Sequence, residues 1–352
     1  MNLSTQITEI LENAVQEHVF PGAVFGYLKD GEEHIHSVGH FTYEPSSPVV
    51  TPDTAYDVAS VTKSIPTSCL VMYLIDQGVL TLDSKVIEYI PELDNQYRED
   101  ITVKHLLTYT VVFEMGERGL ASFAEEGRDA IEATIFKLPL KTSPGEQYIY
   151  GNTIGILLGL VAERAGKKPL NELAQDIFFT PLEMKNTSFL PVDISLIPPT
   201  SSDDWRGEVQ GLPHDEASWV LRQTGTVTGN AGLFSTAADL LTFLKMIIND
   251  GQYAGHRYFS TEAVQMMYTN QISQLGKSAG LGWELNEPRF MGSHSGPHTF
   301  GKTGYTGCLV LADPLKKRAL TLISNRTHPT RPKTAEQIHS VRCHLADLIL
   351  TA

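Results

Sequence analysis

The sequence predicts an α/β chain: a mainly antiparallel sheet built from both chain ends, flanked by helices, with an all-helical region inserted between them. Two strand-like segments near the start, Ala23–Leu28 and His34–Val38, and two near the end, Gly307–Leu311 and Arg318–Ser324, carry this expectation. The third observation is a middle dominated by helical periodicity. On this division residues 1–75 and 285–352 form the α/β region and residues 76–284 the mostly helical one, together a single compact unit.

Each element follows from local chemistry. Ile7, Ile10, Leu11 and Val15 among Glu9, Glu12 and Glu17 have the spacing of an amphipathic opening helix. Lys29-Asp30-Gly31-Glu32-Glu33 between the first two strands reads as a hairpin turn. Residues 61–77 read as one helix stopped by Gly78, with Pro66 removing one backbone hydrogen bond early in it. Val103–Leu107, Asp129–Phe136, Asn152–Ala165, Leu170–Phe178 and Ala237–Asn249 follow as helices. The last two strands flank the turn Asp313-Pro314, and residues 333–350 form a closing helix.

Composition narrows the function classes. The 352 residues are 41% apolar and 19% charged, an ordinary globular balance. A net charge of −14 argues against a phosphate-backbone or anionic-membrane partner. Cys69, Cys308 and Cys343 are scattered and odd in number, which suits a reducing compartment and offers no zinc spacing. The longest apolar run, Ile154 to Ala162, is far short of the ~20 residues that span a bilayer. Residues 1–20 lack the charged start and apolar block of a secretory leader, so a cytoplasmic protein is expected if Met1 is the native start. A trimmed exported precursor would void that expectation. His34 and His36 share one face of a strand but have no third ligand in sequence, and no phosphate loop or dinucleotide fingerprint is present. Neither a metal nor a cofactor is expected.

Three short segments carry chemistry. In Ser60-Val61-Thr62-Lys63 a serine and a lysine lie one helical turn apart, so an amine can reach the hydroxyl and take its proton. Read alone, the pair is more often a helix cap with a solvated lysine. Tyr150-Gly151-Asn152 supplies a phenol, which nearby cations would push toward the phenolate, and an amide able to orient a lysine or a substrate. Tyr268-Thr269-Asn270 has the same form, so this signal alone is weak. Lys302-Thr303-Gly304 adds a cation, a hydroxyl and a glycine that permits close backbone approach, and the N–H of Tyr305 could supply half of an oxyanion hole. Its plainer reading is a glycine-rich hairpin edge.

Order and spacing of the three segments together resemble the serine β-lactamase-like family, which includes class C β-lactamases, DD-peptidases and family VIII carboxylesterases. Pro21-Gly22-Ala23, Ser143-Pro144-Gly145, Pro181-Leu182-Glu183-Met184 and Gly229-Asn230-Ala231-Gly232-Leu233-Phe234-Ser235-Thr236 look like its framework, so the resemblance spans nearly the whole chain. The resemblance implies that Ser60 is acylated and that Lys63 and Tyr150 share its proton. Asn152 would hold Lys63 and the substrate, Lys302, Thr303 and Gly304 would contact the substrate, and Lys302 would bias Tyr150 toward its anion. The N–H groups of Ser60 and Tyr305 would form the oxyanion hole.

Departures from the family pattern bear on substrate. Leu106-Leu107-Thr108-Tyr109-Thr110-Val111-Val112 lacks the family's glycine beside the site, and Thr327-His328-Pro329-Thr330-Arg331-Pro332-Lys333 departs from the class C pattern that helps bind a β-lactam carboxylate. Lys302, where many family VIII esterases carry histidine, pulls the other way. His214-Asp215-Glu216 resembles a family stretch and reads as structural or cleft-lining. The expected function is a serine hydrolase of small acyl esters. β-Lactamase or DD-peptidase activity, and a penicillin-recognising module that acylates without turnover, are the alternatives. The expected partner is a small-molecule acyl substrate, with no nucleic acid and no membrane; the sequence leaves the oligomeric state open.

Overall fold

The computed structural model describes residues 2–114 and 127–352. Six strands form one fully antiparallel sheet: β1 (Gly22–Lys29), β2 (Glu32–Gly39), β3 (Glu284–Leu285), β4 (Phe300–Thr303), β5 (Leu309–Asp313) and β6 (Arg318–Ser324), in the order β2-β1-β6-β5-β4-β3. First and last strands therefore pair inside the sheet, one strand in from the β2 edge, with Ala23 opposite Ser324 and Leu28 opposite Ala319. The α/β fold expected from the two chain ends is the fold observed.

Alternation along the strands decides which layer each side chain joins. Ala23, Phe25 and Tyr27 of β1, Leu309 and Leu311 of β5, and Leu320 and Leu322 of β6 face one apolar core. That core is closed by α1 (Leu3–Gln16), through Ile7, Leu11 and Ala14, and by the C-terminal helix α6 (Glu336–Thr351). The intervening residues, Val24, Val310, Ala312 and Ile323 among them, face the larger core shared with the helical part of the chain. Gly26 lies on this inner face: a Cβ there would sit 2.8 Å from Leu241, so its absence lets α5 (Ala237–Ile248) press onto the sheet. The β1–β2 turn is tight because Asp30 and Gly31 both adopt positive φ, 55° and 85°.

Two sequence expectations are corrected. Residues 61–77 do not form one helix: a short 3₁₀ turn, Ala59–Lys63, is followed by a break at Ile65 (φ −113°, ψ 111°), and the regular helix α2 runs only over Cys69–Asp76. Proline at position 66 explains this, since it lacks an N–H and disfavours helical geometry at the residue before it. The penultimate strand begins at Leu309 rather than Gly307, whose φ of +115° marks the preceding turn. The strand β4 falls in the glycine-rich segment read as a hairpin edge, whereas β3 and the helices α4 (Glu216–Gln223) and Thr261–Tyr268 were not among the elements read from the sequence.

Candidate active site

Ser60 sits in the 3₁₀ turn Ala59–Lys63 rather than at the mouth of a long helix. The turn is entered through Ala59 at φ +48°, a strained conformation for a residue with a Cβ. Asp57 holds it there: one carboxylate oxygen accepts the Ala59 N–H at 2.8 Å and the other the His214 N–H at 2.7 Å. Asp57 is buried, which pushes its carboxyl up to about 6 against the two N–H bonds that pull it down.

Lys63 lies three residues on, and it is fully buried, so it is not the solvated lysine of a plain cap. Its Nζ is 2.9 Å from Ser60 Oγ, 2.9 Å from Asn152 Oδ1 and 2.8 Å from the Asn230 carbonyl oxygen. Burial, helped by the Lys302 ammonium and only partly offset by Asp215 and Glu284, brings its pKa down to about 7. Close packing makes this burial possible. Gly155, one turn into α3 (Asn152–Gly166), would place a Cβ 3.0 Å from Lys63 Cγ and 2.8 Å from Asn230 Cα.

Asn152 is oriented from behind. Its Nδ2 donates to Asp215 Oδ2 at 2.9 Å, which leaves Oδ1 for Lys63. Asp215 also accepts from Asn230 Nδ2 at 3.1 Å and caps α4 through the Ser218 N–H at 3.0 Å. His214-Asp215-Glu216 therefore does line the cleft, and Asp215 additionally ties together the two groups that hold Lys63.

The Tyr150 hydroxyl is hydrogen-bonded to Ser60, while 40% of the residue lies open to the cleft. Lys302 Nζ stands 4.3 Å and Lys63 Nζ 5.1 Å from the centre of its ring. Lys302 does pull Tyr150 toward its anion, as the sequence led one to expect, but it is outweighed. Burial raises the Tyr150 pKa by more than Lys302 lowers it, so the phenol is held protonated rather than biased toward its anion. Tyr109 and, more weakly, Glu284 add to the effect of burial; the Glu284 carboxylate is 2.7 Å from Lys302 Nζ, and both side chains are nearly buried. Burial alone would lower Lys302, but Glu284 and then Tyr150 and Tyr148 more than offset it, so the ammonium is retained as half of an ion pair.

Thr303 ends β4 opposite Leu309. Gly304 follows, where a Cβ would fall 2.3 Å from the Val58 carbonyl oxygen; only glycine lets this strand end reach the segment that leads into Ser60. Tyr305 is half exposed and stacks on His214 with ring centres 5.9 Å apart. Ser60, Tyr150, Asn152, His214, Asp215, Glu216, Tyr305 and Arg331 line a cleft of about 290 Å³. Arg331 bridges two walls, donating to His214 Nε2 at 3.1 Å and pairing with Glu216 at 2.5 Å. Burial, reinforced by Arg331 and Arg206, takes His214 down to about 3 and keeps it neutral. Tyr109, buried at φ +55°, packs its ring 5.5 Å from Tyr150 and 4.5 Å from Lys302 Nζ.

All eight residues singled out from sequence thus converge on one region. Tyr268, the second Tyr-x-Asn, instead ends the Thr261–Tyr268 helix and stacks near Phe300 in the core. A roomier cavity of about 690 Å³, beside Phe179, Asn186 and Ile197, contains none of them. Sequence reasoning missed Glu284 and Asn230 as site members, while Tyr109 lies in the loop already placed beside the site. Asn230 lay in a stretch already read as framework, whereas Glu284 gave no signal.

A family model described as Beta-lactamase matches residues 7–342. The chain belongs to the β-lactamase family. Members of this family are serine hydrolases, and the chain is one of them. A protein from Salmonella agona named "Putative D-alanyl-D-alanine carboxypeptidase" is 28% identical over 313 residues, covering 80% of this chain and 71% of that one. Among solved structures, EstCE1, "a hydrolase with promiscuous acyltransferase activity", superposes with a TM-score of 0.77 at 17% identity over 99% of this chain and 98% of its own. A β-lactamase/D-alanine carboxypeptidase from Pseudomonas syringae superposes with a TM-score of 0.75 at 20% identity over 99% and 98%. At such identities these two likenesses establish the fold.

Proposed function

We propose that the protein hydrolyses small acyl esters through an acyl-enzyme on Ser60. The observation that carries the reading is Lys63 Nζ, 2.9 Å from Ser60 Oγ with a pKa near 7, an amine available as a base at neutral pH. Lys63 takes the Ser60 proton as Oγ bonds to the acyl carbon. The alkoxide leaves as the tetrahedral adduct collapses, and Tyr150, held protonated, passes it a proton that Lys63 replaces. Water then attacks the acyl carbon and releases the carboxylic acid, with Ser60 regaining its proton. Asn152 orients Lys63 throughout.

The preference for uncharged esters rests on Lys302. Its ammonium is already neutralised by Glu284 at 2.7 Å, so it is a weak receptor for a substrate carboxylate. Arg331 favours the second reading, a β-lactam or D-peptide substrate, because it is a half-exposed cation in the cleft; its pairing with Glu216 counts against this. Turnover of p-nitrophenyl acetate against a chromogenic cephalosporin separates the two. Ester turnover should be the faster. Cephalosporin turnover far above ester turnover reverses the assignment, and a single burst of product without steady state makes the protein an acylating module instead.

A further inference from the structure

Arg342, in the middle of α6, is a buried cation for which no carboxylate partner exists among the described residues. A buried charge is costly unless its hydrogen bonds are well used. Its Nη2 donates to the Gly304 carbonyl at 2.9 Å and to the Cys308 carbonyl at 2.8 Å. These two residues close the turn between β4 and β5, joined by the Gly304 N–H on the Cys308 carbonyl at 2.7 Å. The next peptide is held as well, since Arg326 Nε donates to the Tyr305 carbonyl at 2.9 Å.

The Gly304 carbonyl and the Tyr305 N–H belong to one planar trans peptide, so they point in opposite directions. Fixing the carbonyl on Arg342 fixes where the N–H points. Gly304 packs on the Val58 carbonyl, two residues before Ser60, and Tyr305 and Ser60 line the same cleft, so this peptide lies beside the nucleophile. Cationic hydrogen bonding to the carbonyl also polarises the amide and strengthens its N–H as a donor.

We infer that Arg342 is a positioning residue for acyl transfer: it clamps the Gly304–Tyr305 peptide from the α6 side and aims the Tyr305 N–H at the oxyanion formed when Ser60 attacks. This rests on the acyl-enzyme reading above. Losing an oxyanion donor outright costs about 10²–10³ in rate, so a misaimed one should cost about 10–100-fold.

The test uses the full chain acylated by p-nitrophenyl acetate, with acylation rate and the infrared stretch of the acyl-enzyme carbonyl measured for wild type, Arg342→Gln and Arg342→Lys. Arg342→Gln should acylate about 10–100-fold more slowly, with its acyl carbonyl moved to higher wavenumber. Arg342→Lys, which keeps the charge and one bond, should lie between. The pH at which the rate reaches half its plateau should be the same in all three, because Lys63 is untouched. Arg342→Lys alone carries the comparison should Arg342→Gln fail to fold. Folded variants with an unmoved carbonyl stretch and rates within twofold of wild type overturn the inference. Absence of any acyl-enzyme in the wild type overturns the acyl-transfer reading itself.

Discussion

Raising the pH from 6 to 8 should accelerate acylation of Ser60 roughly tenfold, because the neutral fraction of a base with pKa near 7 grows from about a tenth to about nine tenths. An ordinary lysine titrates near 10.5, so the surroundings of Lys63, burial first among them and Asp215 opposing it, disfavour its charged form by roughly 5 kcal/mol on balance, at about 1.4 kcal/mol per tenfold change in acidity. The three acceptors around Nζ do not prevent this. A neutral amine keeps two N–H donors for the Asn152 and Asn230 oxygens and accepts the Ser60 hydroxyl proton with its lone pair. The assay is the pre-steady-state burst of p-nitrophenol across pH 5–9, fitted for the point of half-maximal rate. Lys63→Arg keeps a charge that cannot be given up and should acylate ~10²–10⁴ more slowly at every pH. Tyr150→Phe should lower the plateau by a similar factor yet preserve the rise near pH 7. A rate that continues to climb above pH 9, or a rise that disappears in Tyr150→Phe and survives in Lys63→Arg, would refute the assignment of the base to Lys63.

Glu284→Gln removes the counter-ion of a buried ammonium and should destabilise the protein by about 3–5 kcal/mol at pH 7, measured by urea unfolding. The deficit should shrink as pH rises toward 10, because the unfolded chain then holds a proton on Lys302 that the variant's native state no longer binds. Asp215→Asn frees the Asn152 amide to turn and should slow acylation about tenfold. It should also move the half-maximal pH downward, since the Asp215 carboxylate raises the Lys63 pKa; an unmoved pH profile would leave Asp215 a helix cap alone. Tyr268→Phe serves as the internal control. Covalent labelling of Ser60 should be unchanged, and its loss would place the phenol in the wrong segment.

Local geometry was legible in the sequence. The three-residue spacing from Ser60 to Lys63 brings a hydroxyl and an amine to one side of any helical turn, 3₁₀ or α, so the pairing survives the break at Pro66. The strand segments of β1, β2, β5 and β6 and the turn at Asp30-Gly31 that joins β1 to β2 were legible because they depend only on neighbours a few residues away, whereas the side chains' division between the two sheet faces came from the packing. The protonation states were not legible. Lys63 and Lys302 carry the same side chain, yet burial lowers one to about 7 and an ion pair holds the other charged. Desolvation is set by whatever packs around a group, here Gly155 and Asn230 against the Lys63 stem. Charge pairing needs a partner within a few ångströms, and Glu284 reaches Lys302 only across the β3–β4 register, 18 residues away in the chain. Arg342 likewise meets Gly304 only because α6 packs beneath the sheet. The sequence by itself determined which groups could react and in what order they occur. Tertiary structure decided which of them holds the proton, because the free energy of a charge depends on the dielectric and the counter-charges that folding gathers around it.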